Sequence, residues 1–252
     1  MTFITPQSYK CLLGVQSKNI LERDQIFSWT VGKKQHFSTC RNLQINDLSL
    51  LQSLAPSNFH YLNQNNLDFL KTHFKVDRSK STSIILDIND LTFSGNQFKN
   101  VRHCLNKCGK NELSLEANFR KLEDVKKLIE EWSNDYTAKY FRDFSGKNYF
   151  FYKNNFHQDL INLFVYHQND LIAFGTLSQP VDGISSYVIG KALYKRMYGL
   201  SEFADVELYK LGQVAGVSQI NMGRAPGKLL DYKTKFKHTK EITYDGSIEI
   251  KI

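Results

Sequence analysis

Three β-rich runs follow one another between Asp159 and Gly190, and they leave the chain little choice of architecture. Residues 159–167 read as a strand, Gln168, Asn169 and Asp170 as a turn, 171–177 as the returning strand and 184–190 as a third. Connections this short join antiparallel neighbours, because a parallel pair needs a crossover of a dozen residues or more. The second half is therefore built on an antiparallel meander. The period then changes: 202–215 reads as a helix, 218–222 as a short strand and 229–236 as a short helix with a basic face. Between the last two lies a glycine-flanked loop, Gly223, Arg224, Ala225, Pro226 and Gly227.

Upstream, sheet and helix also alternate. Residues 26–31 form a strand, Gly32, Lys33 and Lys34 turn it, and 36–41 pair back. Asn46 or Asp47 caps a short helix that runs to Leu54 and is stopped by Pro56. Asn65 or Asn66 opens another, with Leu67, Leu70 and Phe74 at helical spacing, and 83–88 is a buried strand. Phe98, Val101, Leu105 and Cys108 make 95–108 an amphipathic helix, with Gly109 as its C-cap. A strand at 113–117 and a long helix over 121–139, with Leu122, Val125, Leu128, Ile129 and Trp132 inward, follow. At the end, 241–250 alternate about Asp245 and Gly246, the pattern of a hairpin. The expected class is α+β (mixed α/β) with a mostly antiparallel central sheet. Neither GxGxxG nor GxxxxGK[ST] occurs, which argues against dinucleotide redox chemistry and nucleotide hydrolysis.

Composition excludes other classes. With 41% hydrophobic and 23% charged residues among 252, the chain is neither disordered nor fibrous. It contains no run of 18 apolar residues, so no transmembrane segment is expected. Met1 to Pro6 lack the basic and apolar regions of a secretory leader, and the expected location is cytoplasmic. Cys11, Cys40, Cys104 and Cys108 have no metal-ligand spacing and read as thiols in a reducing compartment; no metal site is expected. The net charge of +8 is concentrated in two places. Lys99, Arg102, Lys107 and Lys110 lie in one acid-free stretch, and Arg224, Lys228, Lys233, Lys235, Lys237 and Lys240 face only Asp231 in another. Such clusters attract phosphate-bearing partners: a nucleotide cofactor, tRNA, DNA or anionic lipid.

The most informative stretch runs from Asn221 to Phe236. Its glycines let backbone approach a ligand, and free N–H groups at a helix start bind anions. The pattern Asn221-x-Gly223-Arg224-x-x-Gly227-x-x-x-x-Tyr232-Lys233-x-x-Phe236 resembles the closing motif of GNAT-superfamily acyltransferases. The similarity is to the Fem-type aminoacyl-tRNA-dependent transferases and to the C-terminal domain of phosphatidylglycerol lysyltransferases. Arg102-x-x-x-Asn106, on a basic helix that opens near Gly95, is similar to a second feature of these proteins. The resemblance touches residues 83 to 240 and extends only by analogy to what precedes. It implies a GNAT-like fold of two tandem halves, an N-terminal one at 1–113 and a catalytic one at 114–252.

The resemblance implies transfer of an acyl or aminoacyl group from a carrier, aminoacyl-tRNA or acyl-CoA, to an amine or hydroxyl on a small-molecule, peptide or lipid acceptor. No cofactor is tightly bound in this reading, and the oligomeric state stays open. Lys233 would steady donor phosphate or transition-state charge, and Tyr232 would shape the pocket or donate a hydrogen bond. Gly223, Arg224 and Gly227 would bind phosphate, with Arg102 and Lys99 gripping donor or acceptor. Glu207, His167 and Asp231 are the candidate bases, Glu207 being taken as catalytic, and Tyr187 is a candidate relay. The acyl-CoA pyrophosphate signature of simple GNAT enzymes, Gln/Arg-x-x-Gly-x-Gly/Ala, is absent. Gln213 to Ser218 echo it at the wrong end of a helix, which favours a charged tRNA as donor. The competing readings are a nucleic-acid-binding protein with a basic groove and no catalysis, and a peripheral enzyme acting on lipid head groups.

Overall fold

The computed structural model describes residues 21–31, 33–39, 41–117, 122–134, 160–180, 182–224 and 228–251. Among the described residues eleven strands form one sheet: β1 (Leu21–Arg23), β2 (Ile26–Val31), β3 (Lys34–Thr39), β4 (Ser57–Leu62), β5 (Phe74–Asp87), β6 (Leu113–Glu116), β7 (Leu160–His167), β8 (Asp170–Ser178), β9 (Ile184–Ala192), β10 (Gln219–Arg224) and β11 (His238–Ile250). Their spatial order is β1-β2-β3-β4-β11-β5-β10-β9-β8-β7-β6, and only β3–β4 and β9–β10 run parallel. The described helices are α1 (Leu48–Leu54), α2 (Gln64–His73), α3 (Lys99–Cys108), α4 (Leu122–Asn134), α5 (Leu200–Val214) and α6 (Lys228–Lys233). The class is the mixed α+β one, with a mostly antiparallel sheet.

The meander is apolar on both sides because helices cover both faces. Leu163 and Val165 of β7 point into the core built on α5, whereas Phe164 between them packs with Val125, Leu128, Ile129 and Trp132 of α4. A second core, around Phe37, Phe59, Leu51, Leu67 and Leu70, fills the N-terminal part and takes in Tyr244 and Ile248 from β11. Ile84, Leu86, Val101 and Cys108 share one core with Val165, Leu208, Ile220 and Phe236. The core beside β9 and β10 thus draws on both sides of residue 113.

The Asp245–Gly246 pair makes no hairpin. β11 is one continuous strand that pairs with β5 from His238↔Leu86 to Ile250↔Phe74. Its pairing with β4 is irregular between Tyr244 and Gly246, and the Asp245 carboxylate accepts the Tyr61 N–H at 2.9 Å. Here the glycine serves a close approach. A Cβ at Gly246 would lie 1.9 Å from the Asp77 carbonyl oxygen and 2.8 Å from the Phe59 ring. Gly246→Ala is therefore expected to destabilise the fold by about 2 kcal/mol or more, lowering the melting temperature by roughly 5 °C in calorimetry.

Other boundaries move by a few residues. α2 is capped by Asn63, whose side chain accepts the Asn66 N–H, while buried Asn66 ties Leu43 and Arg41 together. β5 begins at Phe74, nine residues before the expected strand, through a charged segment held by β11. The expected end of the 121–139 helix, Gly32, Cys11 and Cys40 lie outside the described residues. Cys104 and Cys108 are free and buried.

Candidate active site

The two parallel strands at the centre of the sheet come apart. β10 pairs with β9 only at Gln219↔Ile184, Ile220↔Ser185 and Asn221↔Ser186. Beyond that, β9 runs on to Ala192 beside β8. β10 runs on to Arg224 beside β5, with an irregularity between Asn221 and Arg224. The strands therefore form a fork at which Tyr187 and Met222 are the first residues no longer paired with each other. The sequence builds the fork locally. Buried Asn221 turns its side-chain oxygen onto the Gly223 N–H at 2.7 Å, and Gly223 takes φ 64°, where glycine is unstrained.

Three elements converge on the fork. Asp205 of α5 is 5% exposed and accepts one hydrogen bond on each oxygen: from the Tyr187 hydroxyl of β9 and the Tyr232 hydroxyl of α6, each at 2.7 Å. Burial pushes the Asp205 carboxyl up to about 6, although both phenols favour its charged form. Burial, and next the Asp205 charge, hold the Tyr187 and Tyr232 hydroxyls well above the usual phenol range, so both stay protonated donors. Lys233 is 8% exposed, and its ammonium donates to the Met222 carbonyl. Burial lowers it to about 8, and the Asp205 charge acts in the opposite sense. Phe236 closes the underside, edge-on to Tyr209 and Tyr232 at 5.5 and 6.4 Å.

A carboxylate that titrates near 6, two fixed hydroxyl donors and a buried ammonium form a proton-handling and charge-stabilising set. Among the described residues no group of three His, Cys, Asp or Glu side chains could hold a metal ion.

The residues expected from sequence divide. Lys233, Tyr232 and Gly223 stand at the fork, and Arg224 is in β10 opposite Ser83. Gly227 lies outside the described residues. Glu207 is not brought to Asp205; it pairs with Lys210 at 2.6 Å. Arg102 donates to the carbonyls of Phe93 and Gly95, the latter at 2.7 Å, and so pins the loop ahead of α3. Lys99 is exposed on α3. Asp231 is exposed and His167 closes β7 at the turn to Asp170. Asp205 was not singled out from the sequence.

The start of α5 also lacks the acyl-CoA pyrophosphate signature. Arg196-x-x-Gly199-x-Ser201 runs from the β9–α5 connection into the first turn of α5 and has serine where the signature has Gly or Ala. The groups around it are engaged with one another. Arg196 clasps the Glu131 carboxylate with two bonds of 2.5 Å. A Cβ on Gly199 would lie 2.7 Å from the Cys104 carbonyl oxygen of α3. Glu202, buried in the first turn of α5, binds Lys235 at 2.6 Å. A buried carboxylate at a helix start works against a bound pyrophosphate.

Residues 55–242 match the family model described as phosphatidylglycerol lysyltransferase, C-terminal. No curated protein matches the sequence significantly. Among solved structures, a conserved protein of unknown function from Bacteroides thetaiotaomicron aligns over 97% of this chain and 90% of its own, at 12% identity and TM-score 0.76. L-PGS from Bacillus licheniformis aligns over 98% and 92%, at 13% identity and TM-score 0.69. FemX aligns over 97% and 91%, at 12% identity and TM-score 0.67. At these identities the likeness is one of fold, and that fold is GNAT-like.

Proposed function

Because the chain belongs to the family of phosphatidylglycerol lysyltransferase C-terminal domains, we propose that it moves an aminoacyl group from a charged tRNA to an amine or hydroxyl acceptor. The observation that carries this reading is the fork: a parallel ladder that stops at Asn221↔Ser186 beside a buried Asp205–tyrosine pair and the Lys233 ammonium. The acceptor nitrogen or oxygen attacks the ester carbonyl of the donor, and the bond from that carbonyl to the ribose oxygen breaks. The proton lost by the acceptor passes to a tyrosine oxygen as that tyrosine gives its own proton to Asp205. It then returns by the same route to the departing ribose oxygen, so the enzyme ends as it began. The Lys233 charge steadies the oxygen that becomes negative in between.

The choice of tRNA over acyl-CoA rests on the start of α5, where Glu202 and the Arg196–Glu131 pair stand in place of a pyrophosphate seat. Charged tRNA is a cytoplasmic donor, and no described helix is long and apolar enough to cross a membrane. The decisive assay gives the protein either tRNA charged with labelled amino acids or acyl-CoA, together with amine and hydroxyl acceptors that include phosphatidylglycerol. Label leaving tRNA for an acceptor, with CoA esters untouched, is the expected result. Turnover of acyl-CoA without loss of label from tRNA would overturn the donor assignment.

A further inference from the structure

We infer that the outward face of α3, together with Tyr198, is a docking surface for RNA, where phosphates meet lysines and one unpaired base stacks on the tyrosine. The inference rests on the charged-tRNA reading for its partner but on different residues. Lys99, His103, Asn106, Lys107 and Lys110 recur at three- and four-residue intervals, and each is exposed. No Asp or Glu occurs between Asp90 and Glu112. The opposite face of α3, with Val101, Cys104 and Cys108, is buried. The helix thus presents a one-sign surface of the kind that follows a phosphate backbone.

Tyr198 converts this charged face into a nucleotide surface. It comes from the connection between β9 and α5, far away in sequence, and is 54% exposed. Its ring lies against α3 through Lys107 and His103. The Lys107 ammonium sits 4.9 Å from the ring centroid, and the His103 ring meets it edge-on at 5.7 Å. An exposed ring beside an ammonium is the arrangement that stacks a base while holding its phosphate. An anionic bilayer fits less well, since the other outward groups of α3 are amides, imidazole and ammonium, with no apolar side chain to insert.

The surface also leads to the fork. α3 packs closely on the start of α5, where a Cβ on Gly199 would meet the Cys104 backbone. Lys235 binds Glu202 and stands 4.8 Å over the Tyr232 ring, whose hydroxyl reaches Asp205. Lys235, from the second basic cluster, thus stands at the start of α5, the element against which α3 packs, and links that contact to the reacting centre.

The test is fluorescence anisotropy with labelled, uncharged tRNA, so that binding is read without turnover. Affinity is expected to fall roughly 10- to 50-fold between 50 and 200 mM salt. Tyr198→Ala should weaken binding roughly 5- to 100-fold while Tyr198→Phe keeps it, because the ring rather than the hydroxyl carries the stack. A Lys99→Gln/Lys107→Gln double variant should flatten the salt dependence, whatever the stability of the alanine variant. Sedimentation with phosphatidylglycerol vesicles is the comparison arm. Wild-type tRNA affinity in both the alanine and the double-lysine variants would overturn the inference, as would loss of vesicle binding in these variants with tRNA binding intact. The outcome is separable from the transferase reading. If transfer from charged tRNA occurs but these variants leave its KM unchanged, the docking surface is wrong and the activity stands. If no aminoacyl donor is used yet tRNA binding falls as stated, the surface stands and the activity does not.

Discussion

Replacing Lys233 with methionine is expected to slow aminoacyl transfer about 100- to 1000-fold while moving the melting temperature by only a few degrees. The rate effect has the size found when one preorganised donor is removed from a developing negative charge. The stability effect is small because two contributions oppose each other. Burial lowers the Lys233 ammonium to about 8. A lysine whose folded value lies below its unfolded one destabilises the fold wherever it is charged, and that penalty disappears as pH rises from about 8 past its ordinary range. At pH 7 the cost of keeping it charged is about 3 kcal/mol. Methionine removes this cost but leaves the Met222 carbonyl without the ammonium that it accepts, which costs about 1–3 kcal/mol. Arginine is not expected to restore the rate, because its planar fork cannot occupy the space of a compact ammonium that is 8% exposed. Initial rates and calorimetry on the two variants check this, and a methionine variant with the wild-type rate would remove Lys233 from the mechanism.

What the sequence makes legible is what has a local period. The three meander strands and the helices at 122–134 and 200–214 announce themselves by apolar spacing that two-sided burial explains. The segment from Lys75 to Lys80 does not: apart from Val76 it is charged or polar and exposed, and it is a strand because β11, more than 150 residues later, pairs with it. The same distance hides the use of Asp245 and Gly246. A pair that turns a hairpin when its flanks meet each other becomes a close crossing when both flanks pair with β4 and β5.

The site shows the same division. The Asn221-to-Phe236 motif is local and points to Lys233 and Tyr232. Asp205 is one of three acids on a helix, between Glu202 and Glu207, and nothing in their spacing tells which one faces the core. Only the packing of β9 and α6 against α5 separates them, giving Glu202 to Lys235, Glu207 to Lys210 and Asp205 to two tyrosines. Tyr187 has the same history: a tyrosine in a strand until a buried carboxylate meets its hydroxyl. Arg102 illustrates the converse, a cation in a suggestive pattern whose guanidinium is used on the carbonyls of Phe93 and Gly95.

Asp205→Asn should separate chemistry from folding most cleanly. The Asp205 carboxyl is raised to about 6 by burial, so the folded chain holds this proton more tightly than the unfolded chain does. Its contribution to stability is therefore complete below about pH 4 and is lost as pH rises through about 6; above that, the buried charge costs about 2–3 kcal/mol. Asparagine fits the same space, accepts one tyrosine hydroxyl and donates to the other, and carries no charge. The variant is expected to melt at or above the wild-type temperature at pH 8, with the difference shrinking toward pH 4. Transfer should nonetheless fall about 100- to 10,000-fold, since the tyrosines keep their places but have no base to receive a proton. The pH profile supplies the second readout. Wild-type kcat/KM is expected to rise through about 6 as Asp205 ionises and to fall through about 8 as Lys233 loses its proton. The asparagine variant should retain only the upper limb. A variant with wild-type turnover, or an unchanged lower limb on whatever rate remains, would show that the proton leaves by another route. A melting temperature depressed equally at every pH would show that Asp205 is held for its hydrogen bonds rather than for its charge.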